Sequence, residues 1–290
     1  MIPAAFDYHA PSTLAQAVSL LAQYKDGAKV LSGGQSLLPL LKLRLGVVEH
    51  LVDIGKIPGL DGLREEGGFL KIGALVREST LERSELIRDR YPILLDTVKV
   101  IADPVVRNCA TIAGNLAHGD PGNDHPATML ALGASVVAVG PKGDRVIPVD
   151  QLFVSLFQTA LAADEILVEV RVPIPPPRSG GAYLKLERKV GDYATAGAAA
   201  FVVLGAGGAI ERCGLGLTNV GTVPIHAVSA AQSLVGKKPD AQIIADAARA
   251  AAAEAEPTGD RRGTEEYKRE MARVLTARAL KLAIQRAGGK

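Results

Sequence analysis

The sequence is poor in cysteine and in aromatic residues, and it has no long apolar run. Its 290 residues include only two cysteines. An iron–sulfur cluster usually needs about four thiolates, and a disulfide framework also needs more than two cysteines. Aromatic residues make up 4% and tryptophan is absent, which argues against a stacking platform for single-stranded nucleic acid. No apolar stretch approaches the ~20 residues of a membrane helix, and we find no signal-peptide pattern.

The charge balance and the length narrow the class of protein further. The formal net charge is +2, so we expect no nucleic acid as a partner and no anionic membrane surface. Hydrophobic residues make up 48% of the chain, enough for a buried core, and the length favours two packed domains. The composition therefore predicts a soluble intracellular protein without a membrane span.

Apolar spacing and turn residues predict the order of helices and strands. Helices are expected at 12–24, 37–45, 78–90, 92–102, 127–132, 240–254 and 264–286, with loop at 103–124. Strands are expected at 28–31, 50–54, 69–74, 135–139, 166–172, 183–190, 197–204 and 210–217. The proline- and glycine-rich stretch 173–181 predicts a linker. Three strands followed by helices beyond it indicate an α+β domain with an antiparallel sheet.

Two glycine-containing loops are the candidate ligand-binding segments. They are residues 32–36 (SGGQS), which follow a predicted strand, and residues 111–115 (TIAGN). Glycine lets a ligand approach the backbone closely, and successive N–H groups in such turns form a nest that suits phosphate oxygens. Either loop alone is more often an ordinary tight turn, and neither fits a Rossmann or P-loop pattern. The residues by themselves predict a phosphate-bearing ligand, with two loops that can grip a pyrophosphate from opposite sides.

The segment 118–125 (HGDPGNDH) concentrates carboxylates and imidazoles and raises the question of a metal site. The oxygen-ligand spacing of a calcium loop is absent, and zinc would need further ligands from elsewhere in the chain. A Pro-Gly turn capped by polar side chains is the preferred interpretation, and no metal is predicted. A ligand-facing role for Asp124 stays open at this point.

Taken together, the motifs resemble those of the FAD-binding medium subunits of the molybdenum hydroxylases, the family of aerobic carbon monoxide dehydrogenase and xanthine dehydrogenase. The resemblance covers nearly the whole chain. It is carried by residues 6–8 (FDY), 32–36 (SGGQS), 49–54 (EHLVDI), 101–104 (IADP), 111–115 (TIAGN), 119–124 (GDPGND), 189–195 (KVGDYAT) and 216–220 (GLTNV). A single glycine pair is weak evidence for a family, but this series of motifs in this order is specific evidence.

The resemblance implies an α+β fold class with two domains. Residues 1–176 would form a FAD-binding domain of the vanillyl-alcohol oxidase (PCMH) type, with subdomains at about 1–55 and 56–176. Residues 177–290 would form a C-terminal α+β domain of the carbon monoxide dehydrogenase flavoprotein type, with a three-stranded antiparallel sheet and helices.

The resemblance also implies the residues of a FAD site. They are Lys29, Val30, Leu31, Ser32, Gly33, Gly34, Gln35, Ser36, Leu37, Ile101, Ala102, Thr111, Ile112, Ala113, Gly114, Asn115, Ala117, His118, Asp124, Leu167 and Tyr193. The two loops would bracket the pyrophosphate, and Asp124 would hydrogen-bond toward the ribityl or ring end. Leu167 and Tyr193 would lie near the isoalloxazine, although core packing explains Leu167 equally well. Ser32 stands where many relatives have alanine. No catalytic residue is expected.

The implied function is that of a flavoprotein subunit that receives electrons and passes them to an external acceptor. FAD is the only cofactor expected in this chain, whereas a large subunit would hold the molybdopterin cofactor and a small subunit two [2Fe–2S] clusters. The expected assembly is a dimer of heterotrimers in the cytoplasm, or at the inner face of the membrane through an acceptor. Two alternatives stay open: a self-contained flavin oxidase of the same fold, and a non-catalytic or assembly paralogue that lacks stable FAD.

Overall fold

The computed structural model describes residues 2–289, and its first element group is a small parallel sheet flanked by helices. The group consists of β1 (Asp7–His9), α1 (Leu14–Tyr24), β2 (Ala28–Leu31), α2 (Leu37–Lys42) and β3 (His50–Asp53). The strand order is β1-β3-β2, and both pairings are parallel. Strand β2 therefore ends at the first glycine loop, which leads directly into α2.

A second, antiparallel sheet forms the larger part of the N-terminal region. Its strands are β4 (Leu63–Glu66), β5 (Phe69–Gly73), β6 (Ser135–Gly140), β7 (Gly143–Pro148) and β10 (Ile166–Pro173), and a hairpin of β8 (Phe153–Ser155) and β9 (Gln158–Thr159) precedes β10. The order is β4-β5-β10-β6-β7. The central strand β10 has an irregular register between Leu167 and Glu169. As a result Ile166 and Leu167 are both buried, although simple alternation would turn them to opposite faces.

Six helices connect β5 to β6. They are α3 (Glu78–Arg83), α4 (Glu85–Arg90), α5 (Pro92–Lys99), α6 (Pro104–Arg107), α7 (Ile112–His118) and α8 (Asp124–Leu132). Helix over 78–90 is confirmed except for a break at Ser84, where the Ser84 side chain accepts the Ile87 N–H and starts a new helix. The prediction of loop over 103–124 is wrong. Asp103 and Thr111 each cap a short helix in that stretch.

The C-terminal region is a four-stranded antiparallel sheet covered by helices. Its elements are β11 (Ser179–Glu187), β12 (Ala194–Leu204), β13 (Ile210–Thr218), β14 (Ile225–His226), α9 (Val228–Gln232), α10 (Ala241–Ala253) and α11 (Glu265–Ala287). The strand order follows the chain. The mixed α+β fold class is confirmed. The sheet has one strand more than predicted, because the two-residue β14 adds an edge.

The C-terminal sheet lies between two helical layers because both of its faces are apolar. Ala198 and Ala200 on β12 pack into one core with α10 and α11, whereas Ala199 and Phe201 join the core of the N-terminal region. On that second side α8 lies directly against β13. A Cβ atom on Gly216 would come within 2.7 Å of the Ala127 carbonyl carbon, so only glycine permits this approach. The start of α8 is thereby fixed against the sheet.

The helices also bear on membrane insertion. Among the residues that the structure describes, no helix combines the length and the apolar character needed to cross a bilayer.

The two cysteines are expected to differ sharply in reactivity. Cys109 is exposed, whereas burial raises the pKa of the Cys213 thiol in β13 to about 12. At pH 8 only about one Cys213 in ten thousand would be a thiolate, and the thiolate is the nucleophile. Iodoacetamide at pH 8 should therefore modify Cys109 and spare Cys213, as followed by peptide mass spectrometry. Equal rates of modification at the two positions would contradict this assignment.

Candidate functional site

The first glycine loop packs, backbone to backbone, on Cys109 and Ala110, the two residues directly before the second loop. A Cβ atom on Gly33 would overlap the Cys109 carbonyl oxygen and would lie 2.9 Å from the Ala110 Cα atom. The Arg77 side chain donates to the same Cys109 carbonyl, and the backbone of Arg77 forms an isolated antiparallel β-bridge with Thr111. Residues that are distant in the sequence thus form one surface. Glycine at position 33 is required because there is no room between the two backbones for a side chain.

The first loop turns through Gly34 into α2. Gly34 has a φ of +73°, a conformation that favours glycine, and its carbonyl accepts the Leu38 N–H at 3.0 Å. The Ser36 side chain makes no capping hydrogen bond to the helix that follows it. Residues 32–36 are all half-buried.

The second loop is the beginning of helix α7. Thr111 caps this helix, and its hydroxyl oxygen accepts the Gly114 N–H at 3.1 Å. The Asn115 carbonyl accepts from the Asn123 side chain at 2.9 Å, which joins α7 to the segment before α8. The Asn115 Oδ1 atom is buried and has no hydrogen-bond partner. Leaving such an acceptor unpaired costs about 1–3 kcal/mol, so this atom suits a ligand hydroxyl that donates to it.

The segment 118–125 is a turn organised by Asp120. The Asp120 side chain accepts the Gly122 N–H at 2.8 Å, and its carbonyl accepts the Asn123 N–H at 3.1 Å. Within residues 2–289 no group of three or more His, Cys, Asp or Glu side chains is placed to hold a metal ion. The segment has the form of the Pro-Gly turn that its sequence predicts.

Asp124, the first residue of α8, is buried in a polar cluster shared with the C-terminal sheet. Its carboxylate accepts from the Tyr183 hydroxyl at 2.6 Å and from the Lys185 ammonium at 3.0 Å. Lys185 also donates to the Val100 carbonyl at 2.9 Å and lies 3.4 Å from the Glu187 carboxylate. Burial raises the pKa of Asp124, and Lys185 opposes that rise. Burial likewise raises the pKa of Tyr183, and the Asp124 charge adds to that effect.

Tyr183 and Lys185, the partners of Asp124, were not singled out by the sequence analysis. They alternate with apolar positions on β11, and Glu187 continues the same face of the strand. A polar face on a strand followed by fully buried β12 was the available signal. The sequence analysis assigned a strand at 183–190 without assigning its two faces.

A further contact brings two more of the predicted segments together. Gly191 has a φ of +80°, and a Cβ atom on it would lie 2.8 Å from the Ala102 carbonyl oxygen. Tyr193, two residues on, lies beside Gly122 and remains 46% exposed. The Arg262 guanidinium lies 5.9 Å from the centre of the Tyr193 ring and pairs with Asp192 at 2.8 Å. One aromatic side chain therefore stands at the edge of the site with much of its surface accessible.

The predicted site residues fall into three groups by exposure. Lys29, Ala117 and Tyr193 are exposed. Val30, Leu31, Ser32, Gly33, Gly34, Gln35, Ser36, Leu37, Ala102, Gly114, Asn115 and His118 are half-buried. Ile101, Thr111, Ile112, Ala113, Asp124 and Leu167 are buried. Of these, Ile112, Ala113 and Leu167 belong to the main apolar core, where packing accounts for them without a ligand.

Comparison with known proteins gives a consistent result along the whole chain. A family model described as the FAD binding domain in molybdopterin dehydrogenase matches residues 4–175, and one described as the CO dehydrogenase flavoprotein C-terminal domain matches residues 181–283. The carbon monoxide dehydrogenase medium chain of Hydrogenophaga pseudoflava is 45% identical, over 98% of both chains. That of Afipia carboxidovorans is 44% identical, over 99% of both. A solved structure of carbon monoxide dehydrogenase from Hydrogenophaga pseudoflava superimposes with a TM-score of 0.96 at 46% identity, over 99% of each chain.

Proposed function

Because the chain belongs to the FAD-binding medium subunits of the molybdenum hydroxylases, we propose that it binds FAD between its two glycine loops. The family predicted from the sequence motifs is confirmed, and with it the oxidoreductase class. The chain then serves as the flavoprotein subunit that takes electrons from an iron–sulfur subunit and passes them to an external acceptor.

The contact between the two loops is the observation that carries the proposal. Gly33 packs on the backbone of Cys109 and Ala110, directly before the second loop, so the two loops are neighbours and we place the cofactor in a groove along their junction. The Gly114 and Asn115 N–H groups already bond to Thr111. A pyrophosphate would therefore be held by the N–H groups of the first loop and by those at the very start of α7. The unpaired Asn115 Oδ1 adds an acceptor for a sugar or ribityl hydroxyl at the same groove. The residues present therefore fit FAD.

The remaining contacts assign roles to residues around this groove. Tyr193 is about half exposed and would cover one side of the flavin. Asp124 already accepts two hydrogen bonds, from Tyr183 and Lys185, which fix its carboxylate in one orientation. It would interact with a ribityl or ring group from that fixed position. Leu167 is buried in the core and would contact the cofactor only at the floor of the site.

The chemistry divides between the cofactor and the protein. When bound, FAD supplies the exchange between single-electron arrivals and two-electron delivery. This chain binds the dinucleotide, excludes water from its pyrophosphate and orients its ring toward a partner. Holding and orienting the cofactor requires no pair of proton-transferring residues. The buried polar cluster around Asp124 would therefore help to orient the cofactor.

Membership of the family supports a proposal for the assembly. We propose a large subunit with the molybdopterin cofactor and a small subunit with two [2Fe–2S] clusters as partners, in a dimer of heterotrimers. The two cysteines of this chain lie on different elements, Cys109 after α6 and Cys213 within β13, which leaves cluster binding to a partner. The cytoplasmic location stays a prediction.

Titration of the purified chain with FAD and with FMN tests the cofactor assignment. We expect flavin bands near ~370 and ~450 nm that appear with FAD in a one-to-one ratio and much more weakly with FMN. FMN lacks the second phosphate that the paired loops would hold. The matched control is the same titration with the chain co-expressed with its small and large subunits. Absence of FAD from both preparations would overturn the proposal and favour a paralogue without flavin.

A further inference from the structure

We propose that the Ser32 hydroxyl is a positioning group that sets the spacing of the two glycine loops before FAD arrives. This inference rests on the proposed function, since it assigns a role at the same groove. The Ser32 side chain would act on the second loop of this chain, whereas the Ser32 backbone would face the cofactor.

The hydrogen bonds around Ser32 form a chain with only one consistent direction. The Ser32 Oγ atom lies 3.1 Å from the Ala74 carbonyl oxygen and 3.1 Å from the Thr111 Oγ1 atom. A carbonyl only accepts, so the Ser32 hydroxyl donates to Ala74. Thr111 then donates its own hydroxyl hydrogen to Ser32. The Thr111 oxygen remains available to accept the Gly114 N–H at 3.1 Å.

This chain joins three segments that are far apart in the sequence. Ser32 is 42 residues from Ala74 and 79 residues from Thr111. It therefore ties the end of β2 both to the residue after β5 and to the cap of α7. Each hydroxyl hydrogen in the chain has one acceptor, so no member is left unpaired in this arrangement.

The spacing of the loops is limited from both sides. Contact of Gly33 with the Cys109 carbonyl prevents the loops from moving closer together. The Ser32–Thr111 hydrogen bond prevents them from moving apart. A groove that is already at its binding width avoids the cost of ordering the loops when a ligand binds. Because apparent affinity scales with the populated fraction of the competent form, loss of this restraint weakens binding without removing any ligand contact.

Ser32→Ala tests the proposal directly. We expect the dissociation constant for FAD to rise about tenfold, the effect of losing a pair of hydrogen bonds that hold the competent form. The absorption bands of the bound flavin should keep their positions, because the ring contacts do not change. Ser179→Ala is the matched control: it removes a serine-to-carbonyl hydrogen bond, to Pro176 at 2.6 Å, at the start of β11, and should leave the FAD affinity as it is.

A double-mutant cycle with Thr111→Val separates positioning from a general loss of stability. If Ser32 acts through Thr111, the double variant should lose less FAD affinity than the product of the two single-variant fold losses. The reason is that either substitution alone already breaks the same chain of hydrogen bonds. The free energy of unfolding of each FAD-free variant is measured alongside by urea denaturation. A merely structural role would lower this stability and leave the FAD dissociation constants uncoupled. Should Ser32→Ala fail to fold, Ser32→Cys gives the same test, since a thiol is a weak donor of similar shape.

The outcomes are distinguishable from those of the proposed function. No FAD binding by the wild-type protein, alone or with its partner subunits, overturns the proposed function and this inference with it. Binding by the wild type with an unchanged dissociation constant in Ser32→Ala overturns this inference alone. Independent losses in the double-mutant cycle also overturn it.

Discussion

Gly33→Ala is expected to abolish stoichiometric FAD binding, with a dissociation constant raised at least about a hundredfold. The new methyl group would overlap the Cys109 carbonyl oxygen and lie 2.9 Å from the Ala110 Cα atom. Both neighbours are backbone, so neither can rotate away as a flexible side chain would. The second loop would have to move, and a displacement of about 1 Å at a positioned site is enough to cost two orders of magnitude.

A glycine of the same type but without close neighbours provides the control for this substitution. Gly207 lies in the turn between β12 and β13, and a Cβ atom on it would meet nothing within 4 Å. Gly207→Ala should therefore bind FAD as the wild-type protein does. Binding is measured by flavin absorbance after gel filtration, and circular dichroism checks that each variant is folded. A folded Gly33→Ala protein that retains one FAD per chain would contradict the assignment of the groove.

Gly114→Asp makes the corresponding test in the second loop. It places a carboxylate beside the expected phosphate, and its Cβ atom would lie 2.9 Å from the Thr111 hydroxyl that caps α7. Repulsion between the two negative groups should remove FAD even if the helix keeps its cap. Gly34→Asp is expected to act in the same way in the first loop. Retention of flavin in these variants would refute the loops as the pyrophosphate site.

The glycine loops could be recognised from the sequence because the signal is local. The composition of residues 32–36 and 111–115 is enough to predict tight backbone turns there. The contact of Gly33 with Cys109 could not be predicted, because it depends on how β2 and α7 meet in three dimensions. A single sequence fixes which residues are small, but it does not say which distant backbone fills the space.

The errors in the element assignment also have physical causes. Residues 103–124 looked like loop because glycine and proline are frequent there, yet side-chain caps from Asp103 and Thr111 stabilise two short helices. Strand β7 was missed because it is an exposed edge with only Ile147 buried, so it lacks an alternating apolar face. In the first place local side-chain caps, and in the second an exposed edge position, determine the structure rather than hydrophobic periodicity.

The polar cluster around Asp124 likewise combines a residue that a local motif identifies with partners that are distant in the sequence. Asp124 was singled out from its motif, but its partners Tyr183 and Lys185 lie on β11, some sixty residues further on. The charge of Asp124 is therefore balanced by a residue that its own segment does not reveal. This dependence makes the pair a sensitive point for the stability of the protein.

Lys185→Met is expected to lower the free energy of unfolding by about 3–5 kcal/mol at pH 7, the usual cost of leaving a buried charge without its partner. The variant keeps two carboxylates in the cluster, Asp124 and Glu187, and removes the ammonium that lies 3.0 Å from the first and 3.4 Å from the second. Lys238→Met, at an exposed position, is the matched control and should change stability little.

The loss caused by Lys185→Met should shrink as the pH falls, because burial already raises the pKa of Asp124 above its ordinary 3.8 and Lys185 is one of the groups that lower it. Without Lys185 the pKa rises further, so the folded variant takes up a proton at a higher pH than the unfolded chain does. The folded state then binds more protons than the unfolded state between these two pKa values, and stability rises as the pH falls through that window. Urea denaturation of the variant and the wild type at pH 7 and at pH 5 measures the effect. A stability difference that is the same at both pH values would show that Asp124 keeps its charge without Lys185, and would contradict the prediction.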